Sequence, residues 1–107
     1  MKKLLLLLFS VLIVVFFVSC KKKIPVACFS TNKGDGSLVL YDTVVFNASC
    51  SKNAEDYHWD FDDALDKKTY FGIEVTKIFL TTGNHHVKLS CTDGTKTGFT
   101  TKTITVN

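Results

Sequence analysis

The chain has 107 residues, with 13 lysines or arginines (all of them lysines), 10 acidic residues and a formal net charge of +3. The excess positive charge lies at the amino-terminal end, because residues 24–107 contain 8 lysines and 10 acidic side chains. Without arginine or a basic cluster in that region, the composition argues against nucleic-acid binding.

The first 19 residues have the layout of a secretory signal peptide. Lys2 and Lys3 form a positively charged start, and residues 4–18 are apolar except for Ser10. A membrane-spanning helix needs about 20 apolar residues, so this shorter stretch favours a cleaved signal helix. The alternative is an uncleaved membrane anchor.

The apolar stretch ends at Cys20, and residues 17–20 resemble the lipobox of bacterial lipoproteins. Phe17 is a departure, because leucine is usual at that position. The resemblance implies removal of residues 1–19 and acylation of Cys20, for example by palmitate. Two or three acyl chains give stable membrane anchoring, whereas one chain is marginal.

Residues 20–24 would then form a lipidated basic tether. Its three lysines can approach anionic lipid head groups, and each lysine near the surface contributes about 1 kcal/mol to membrane binding. Lipoproteins retained at the inner membrane tend to have aspartate where this chain has Lys21. The resemblance therefore implies an exported protein anchored to the cell envelope, at the outer membrane if the cell has one, on either its periplasmic or its surface side.

The remaining chain, residues 25–107, is predicted to be one all-β domain. Alternation of apolar and polar residues predicts strands, in chain order, over 25–30, 43–48, 57–61, 75–80, 85–92 and 99–106, with short candidates at 38–40 and 69–71. Glycine-containing turn sequences separate many of these segments, and Asp93-Gly94 predicts a hairpin. About seven strands and no helical period indicate an immunoglobulin-like β-sandwich.

Four ordered sequence blocks in this region resemble the PKD domain family. They are Pro25-Val26-Ala27-Cys28-Phe29-Ser30, Val44-Val45-Phe46-Asn47-Ala48-Ser49-Cys50-Ser51, Tyr57-His58-Trp59-Asp60-Phe61-Asp62-Asp63 and Gly83-Asn84-His85-His86-Val87-Lys88-Leu89-Ser90-Cys91-Thr92-Asp93. The structural motif residues carried over are Tyr57, Trp59, Asp60, Phe61, Asp63, Gly83, Val87, Leu89 and Asp93.

Three positions depart from the family pattern. Its Gly-Asp-Gly turn is replaced by Asp62-Asp63-Ala64, and Asp62 must take a conformation that aspartate tolerates better than most residues. His85 stands where the family has a corner tyrosine, and Cys91 stands at a core valine position. The resemblance implies a binding module without catalytic machinery, mediating protein–protein contact in adhesion or scaffolding or, alternatively, binding carbohydrate.

The three cysteines after Cys20 permit at most one bridge within the chain. The preferred pair is Cys28 with Cys50, because the strand before Cys50 is expected to pair with the strand containing Cys28. Either could instead pair with Cys91, but that residue lies on a predicted inward face. A bridge between residues 28 and 50 would stabilise the domain by about 3 kcal/mol in the chain-entropy model.

An acidic cluster offers the strongest candidate metal ligands: Asp60, Asp62, Asp63 and Asp66. Several carboxylates in one loop suit calcium, but the spacing lacks the glycine and distal glutamate of an EF-hand. A structural role in the turn is therefore preferred, and no cofactor is expected. The histidines are His58, His85 and His86, and they offer no three-ligand zinc set. His85 and His86 are adjacent and point to opposite faces of a strand, so they cannot easily share a zinc ion, and His58 is predicted to face outward.

No catalytic pattern stands out, and the chain is not expected to be an enzyme. It lacks the Gly-x-Ser-x-Gly sequence of a nucleophile elbow. Tyr41, Tyr70 and Phe71 are aromatic residues predicted at exposed positions, where they could stack on a sugar or cover a sheet edge. The expected partners are the membrane, through the lipid, and an envelope protein or glycan.

Overall fold

The computed structural model describes residues 23–34 and 37–107, so the predicted signal helix and lipidation site lie outside the described residues. All regular structure in this part of the chain is β-structure. Its strands are β1 (Ser30–Thr31), β2 (Thr43–Asn47), β3 (Asp56–Asp60), β4 (Tyr70–Phe71), β5 (Glu74–Ile78), β6 (Gly83–Thr92) and β7 (Thr97–Val106).

The strands form two antiparallel sheets that pack face to face. One sheet has the order β1-β2-β5 and the other the order β4-β3-β6-β7. The prediction of an all-β sandwich is therefore confirmed. Among residues 23–34 and 37–107, no helix is long and apolar enough to cross a membrane.

The first strand is shorter than the predicted segment 25–30. Only its last residue, Ser30, belongs to β1, and Val26 makes an isolated bridge with Lys52. The reason lies at Cys28, whose N–H donates to the Ser51 hydroxyl at 2.9 Å and whose carbonyl accepts from it at 2.8 Å. A side chain thus replaces the neighbouring backbone and interrupts the ladder.

Residues 38–40 likewise form no named strand. Leu38 makes a single parallel bridge to Val106 at the end of β7. Its N–H donates to Thr105 at 2.9 Å, and its carbonyl accepts from Asn107 at 2.8 Å. The segment therefore crosses to the edge of the four-stranded sheet and pairs there only briefly.

Trp59 lies at the centre of the core, as its position in the sequence predicts. It is fully buried and packs edge-on against Phe29 and Phe46, with ring centroids 5.3 and 5.7 Å away. Its indole N–H donates to the carbonyl of Gly72 at 2.8 Å, so its polar atom has a partner. Val87 and Leu89 of β6 are buried on the same inward face.

The predicted disulfide between Cys28 and Cys50 is confirmed. Their Cα atoms are 5.3 Å apart, and the bridge ties the segment before β1 to the residues after β2. Cys91 is a free and fully buried thiol. Burial raises the pKa of its thiol, as desolvation outweighs a hydrogen bond from the backbone of Gly98. Cys91 therefore behaves as a small apolar core residue.

Candidate functional site

The acidic turn after β3 begins with two aspartates that organise the backbone. The Asp60 carboxylate accepts the N–H of Asp62 at 3.1 Å, and Asp62 has a φ of 51°. Asp62 thus adopts the left-handed conformation expected of it as a substitute for glycine. Its own carboxylate accepts the N–H of His86 at 3.4 Å.

Asp63 is a buried structural anion. Its carboxylate accepts hydrogen bonds from the N–H of Leu80 (2.8 Å), the Lys77 ammonium (3.1 Å), the Thr81 hydroxyl (3.0 Å) and the N–H of Leu65 (3.3 Å). Burial by itself raises the pKa of Asp63, but these four donors together hold it below its usual value. Asp63 therefore links the turn to β5 and to the β5–β6 connection.

Asp66 completes an ion cluster around Lys77. The Lys77 ammonium lies 2.8 Å from the Asp66 carboxylate, which also accepts the hydroxyl of Tyr70. Lys77, followed by Tyr70, lowers the pKa of Asp66 to about 2. Burial, followed by Asp66, raises the pKa of Tyr70 to about 12. Asp63 and Asp66 thus serve as counter-ions to a buried lysine.

The involvement of Lys77 was not predicted from the sequence. The side chain is completely buried beside the rings of Phe61, Tyr70 and Phe79, with its Nζ 5.3–5.8 Å from their centroids. The sequence did contain one indication of a buried lysine, because Val75, Lys77 and Phe79 are every second residue of their segment and therefore share one face. A lysine in such a series needs a buried partner, and the carboxylates of the turn supply it.

His85, at the position of the family's corner tyrosine, makes a polar corner contact. It is buried, and its Nδ1 and Nε2 lie 2.9 Å and 2.8 Å from the carbonyl oxygens of Asp62 and Thr81. Its ring also packs on Phe79 at 4.7 Å. His85 therefore joins the acidic turn to the β5–β6 connection.

The candidate metal ligands are used in these contacts. Among residues 23–34 and 37–107, no three His, Cys, Asp or Glu side chains are grouped as a metal site. Asp60 lies exposed at the end of β3, Asp63 and Asp66 contact Lys77, and Asp62 faces His86. The turn is therefore an internal cross-link of the sandwich.

The outer face of the four-stranded sheet has a different character. The strand register aligns Phe71, His58, Ser90 and Phe99 in one row across β4, β3, β6 and β7. Phe71 and Phe99 are 66% and 61% exposed, which makes them available to a ligand. They stand three strands apart, or about 14 Å. We call these four residues the aromatic row.

Each phenylalanine of the aromatic row contacts a polar side chain of a neighbouring strand. The His58 ring packs edge-on against Phe71 at 4.9 Å, and the Lys88 ammonium lies 4.6 Å from the Phe99 centroid. Between them, the small Ser90 side chain leaves a shallow hollow, which is lined by His58, Ser90, Thr92 and Thr97. The face thus combines exposed rings with a hydroxyl-rich floor.

The three aromatic residues predicted at exposed positions do not share this face. Phe71 belongs to the aromatic row, but Tyr41 is exposed elsewhere, where its N–H donates to Phe79 at 3.3 Å. The prediction for Tyr70 is wrong, because its side chain is half-buried against the core and bound to Asp66. Adjacent residues of a strand face opposite sides, so Tyr70 and Phe71 cannot both be exposed on this sheet.

The remaining motif residues have structural positions. Tyr57 packs against the core, and Phe61 is buried in it. Gly83 has a φ of 112° at the start of β6, a conformation that favours glycine. The Asp93 carboxylate accepts the N–H groups of Thr95 (2.9 Å) and Lys96 (2.7 Å), which closes the β6–β7 hairpin.

Comparison with known families identifies this sandwich. A family model described as PKD domain matches residues 25–107. The chain belongs to the PKD domain family. None of the curated proteins compared with it matches.

Two solved structures resemble this PKD domain. One comes from work on the structural basis for the promiscuous specificity of carbohydrate-binding modules from the β-sandwich superfamily. It shares 28% identity with this chain at a TM-score of 0.69, and the match covers 81% of this chain and 36% of that one. This chain therefore spans about a third of that protein's length. The other is the PKD1 domain of Vibrio anguillarum Epp, with 23% identity, a TM-score of 0.61 and coverage of 81% and 98%.

The second likeness shows the fold alone. The family match and the first structure fit a non-catalytic binding module. The sequence identified the fold through Trp59 and its neighbours and predicted the outward side of the strand for His58, but it did not single out Ser90 or Phe99. No sequence pattern could have predicted that Phe99 and Phe71 lie in one row, because their strands β7 and β4 are at opposite edges of the sheet and are not adjacent.

Proposed function

We propose that this PKD domain is a lipid-anchored binding module of the cell envelope, and that it binds a glycan on the outer face of its four-stranded sheet. The observation that carries the proposal is the aromatic row, with exposed rings at both ends and a hydroxyl-bearing floor between them. The apolar C–H face of a sugar ring packs on an aromatic ring, and its hydroxyls bond to polar side chains. The likeness to a protein studied for its carbohydrate-binding modules also supports this ligand.

The polar composition of the face favours a glycan over a protein partner there. The centres of protein interfaces contain packed aromatic and aliphatic residues and are poor in serine. In the aromatic row, by contrast, His58 and Ser90 lie between the two phenylalanines, and Thr92, Thr97 and Thr101 flank the row on the same face. A glycan chain can use both the rings and the hydroxyl groups.

A glycan array probed with the purified protein tests the ligand. Binding should fall at least tenfold in Phe71→Ala and in Phe99→Ala, and it should be unchanged in Tyr41→Ala, which removes an equally exposed ring from another surface. Absence of glycan binding, or binding that survives loss of both phenylalanines, would contradict the proposal.

Protein–protein contact in adhesion or scaffolding is the second candidate, and a different surface favours it. Four exposed apolar residues adjoin Asp63 or Phe79, either in the chain or through a backbone hydrogen bond: Tyr41, Leu65, Ile78 and Leu80. The N–H groups of Leu65 and Leu80 both donate to Asp63, which brings these two residues together. An exposed apolar patch of this kind suits a protein partner.

Cross-linking in native envelopes tests that candidate. A single partner captured by the wild type and lost in Tyr41→Ser and Leu65→Ser would support it. Capture that depends instead on Phe71 and Phe99 would place the protein contact on the aromatic row and exclude the apolar patch that contains Tyr41 and Leu65.

Anchoring at Cys20, after cleavage behind residue 19, completes the proposed function. Its support is the lipobox-like segment 17–20 and the basic tether that follows. In Cys20→Ala, the mature protein should lose its acyl chains and leave the outer-membrane fraction. A variant that is still processed and remains in that fraction would contradict the proposal.

A further inference from the structure

The edge strand β7 differs from the other sheet edges of this domain. The edges formed by β1 and β4 have two residues each and that formed by β5 has five, whereas β7 has ten. A sheet edge presents unpaired N–H and C=O groups, and proteins normally keep such edges short, charged or covered. β7 is therefore the edge best suited to pairing with another strand.

The direction of each peptide group of β7 follows from its contacts at one end. Leu38 donates to the Thr105 carbonyl and accepts from the Asn107 N–H, so the backbone of both residues points away from β6. The register between β6 and β7 is unbroken from residue 97 to residue 106. Since these groups alternate along a strand, the peptide groups of Phe99, Thr101 and Thr103 also point outward.

These three outward-pointing residues form a free stretch. Their backbone N–H and C=O groups make no hydrogen bond to any described residue outside the sheet ladders. All three side chains are exposed. Residues 97–106 contain no proline, and their one charge is Lys102. Its ammonium is engaged, donating to the Phe29 carbonyl at 2.8 Å.

We propose that the free stretch pairs with the same stretch of a second copy of this chain, antiparallel and centred on Thr101. In that register Thr101 faces Thr101 of the second copy, and Phe99 faces Thr103. All three outward residues of each copy then lie in hydrogen-bonded pairs, so that every free N–H and C=O of the stretch is satisfied.

The stretch is complementary to itself in its side chains as well. Aromatic residues opposite β-branched residues and threonine opposite threonine are favourable cross-strand pairs. Lys102 faces Thr100 of the second copy, so no like charges meet. Pairing ends beyond residue 104, where Leu38 already occupies the edge. These features favour a second copy over an unrelated strand.

The pairing would join two four-stranded sheets into one of eight strands. Its two-fold axis passes between the two Thr101 residues and is perpendicular to the sheet, so both outer faces lie on the same side. Two copies of Phe99 would then stand near the axis. The interface is isologous and closes as a dimer.

A cysteine at position 101 tests this register in the full-length chain in native membranes. Across the axis, the two Cα atoms of residue 101 lie about 5.5 Å apart, whereas those of residue 103 are separated by about 14 Å along the strands. A thiol reagent with a one-carbon span should therefore cross-link Thr101→Cys into dimers and leave Thr103→Cys and the wild type monomeric on a denaturing gel. No dimer in Thr101→Cys, or equal cross-linking in both variants, would overturn the proposal.

Proline at position 101 supplies an independent measurement. Thr101→Pro removes only an outward N–H, which an edge strand tolerates, and Thr101→Val keeps that N–H. Sedimentation of the detergent-solubilised full chain should show a dimer for the wild type and Thr101→Val, and a dissociation constant at least tenfold weaker for Thr101→Pro. A monomeric wild type, or a Thr101→Pro variant that dimerises equally well, would refute the pairing.

Discussion

The acidic turn after β3 and the aromatic row of the outer face show opposite uses of conspicuous side chains. In the turn, Asp63 and Asp66 are bound to the buried Lys77 and contribute to holding the two sheets together. On the outer face, Phe71 and Phe99 are large apolar residues that the core does not use. Charge thus supports the fold in one region, while apolar surface stays exposed in the other.

This contrast teaches that residue type alone is a poor guide to a binding site in a small sandwich. Carboxylates are natural candidates for metal ligands or catalytic groups, but Asp63 is buried and serves as the counter-ion of Lys77. Phenylalanine is expected in the core, yet two phenylalanines lie exposed in one row. Variants of the two regions should therefore separate stability from binding.

The largest effect is expected for Lys77→Met. Removing the ammonium leaves the buried Asp63 without its cation, which should lower the free energy of unfolding by about 3–5 kcal/mol. Denaturant unfolding measures the loss, and Lys102→Met is the matched control, because its ammonium binds a backbone carbonyl, not a carboxylate, and its side chain is exposed. Equal stability of the two variants would show that the ion cluster contributes little.

A smaller loss is expected for His85→Phe. The phenyl ring can still pack on Phe79, but the carbonyls of Asp62 and Thr81 lose their partner, at a cost of about 1–3 kcal/mol. Thermal unfolding should show this loss in His85→Phe and almost none in His86→Ala, the exposed neighbour. The polar corner would be unimportant if the two variants unfolded alike.

The ion cluster also predicts how stability depends on pH. The pKa of Asp66 is lowered to about 2 and that of Asp63 is lowered too, so their contribution is present above pH 3.8 and is lost as the pH falls toward 2. The pKa of Tyr70 is raised to about 12, so its contribution is present below pH 10 and is lost as the pH rises toward 12. Unfolding across pH should show both losses.

Tyr70→Phe separates the two limbs of that profile. The variant should lose the fall attributed to Tyr70 between pH 10 and 12 while still losing stability in acid, because Lys77 continues to lower the pKa of Asp66. An alkaline limb identical to that of the wild type would assign it to other groups.

The smallest effect on stability is expected on the outer face. Phe71→Ala and Phe99→Ala should each change the free energy of unfolding by no more than about 0.5 kcal/mol, since exposed side chains make few core contacts. The neighbouring Tyr70→Ala should be clearly more destabilising, because Tyr70 packs on Phe61 and binds Asp66. A large loss in Phe71→Ala would mean that the aromatic row is structural.

Much of the fold was predictable because local patterns carried it. The alternation around Trp59 and Leu89 identified inward faces correctly, and the left-handed Asp62 followed from the loss of glycine at that position. The disulfide between Cys28 and Cys50 followed from the odd number of cysteines after Cys20 and from the expected pairing of the first two main strands. Strand ends were less predictable, because a side-chain contact, that of Ser51 with Cys28, cut the first strand short.

The sequence by itself determined that this chain folds as a β-sandwich around Trp59 and which faces of its central strands are buried. Only the tertiary structure decided that Lys77 meets Asp63 and that Phe71, His58, Ser90 and Phe99 form one row. The physical reason is that a two-residue period specifies the side of a strand on which a residue lies, whereas strand order and register decide its neighbours. In the four-stranded sheet those neighbours come from segments far apart in the chain.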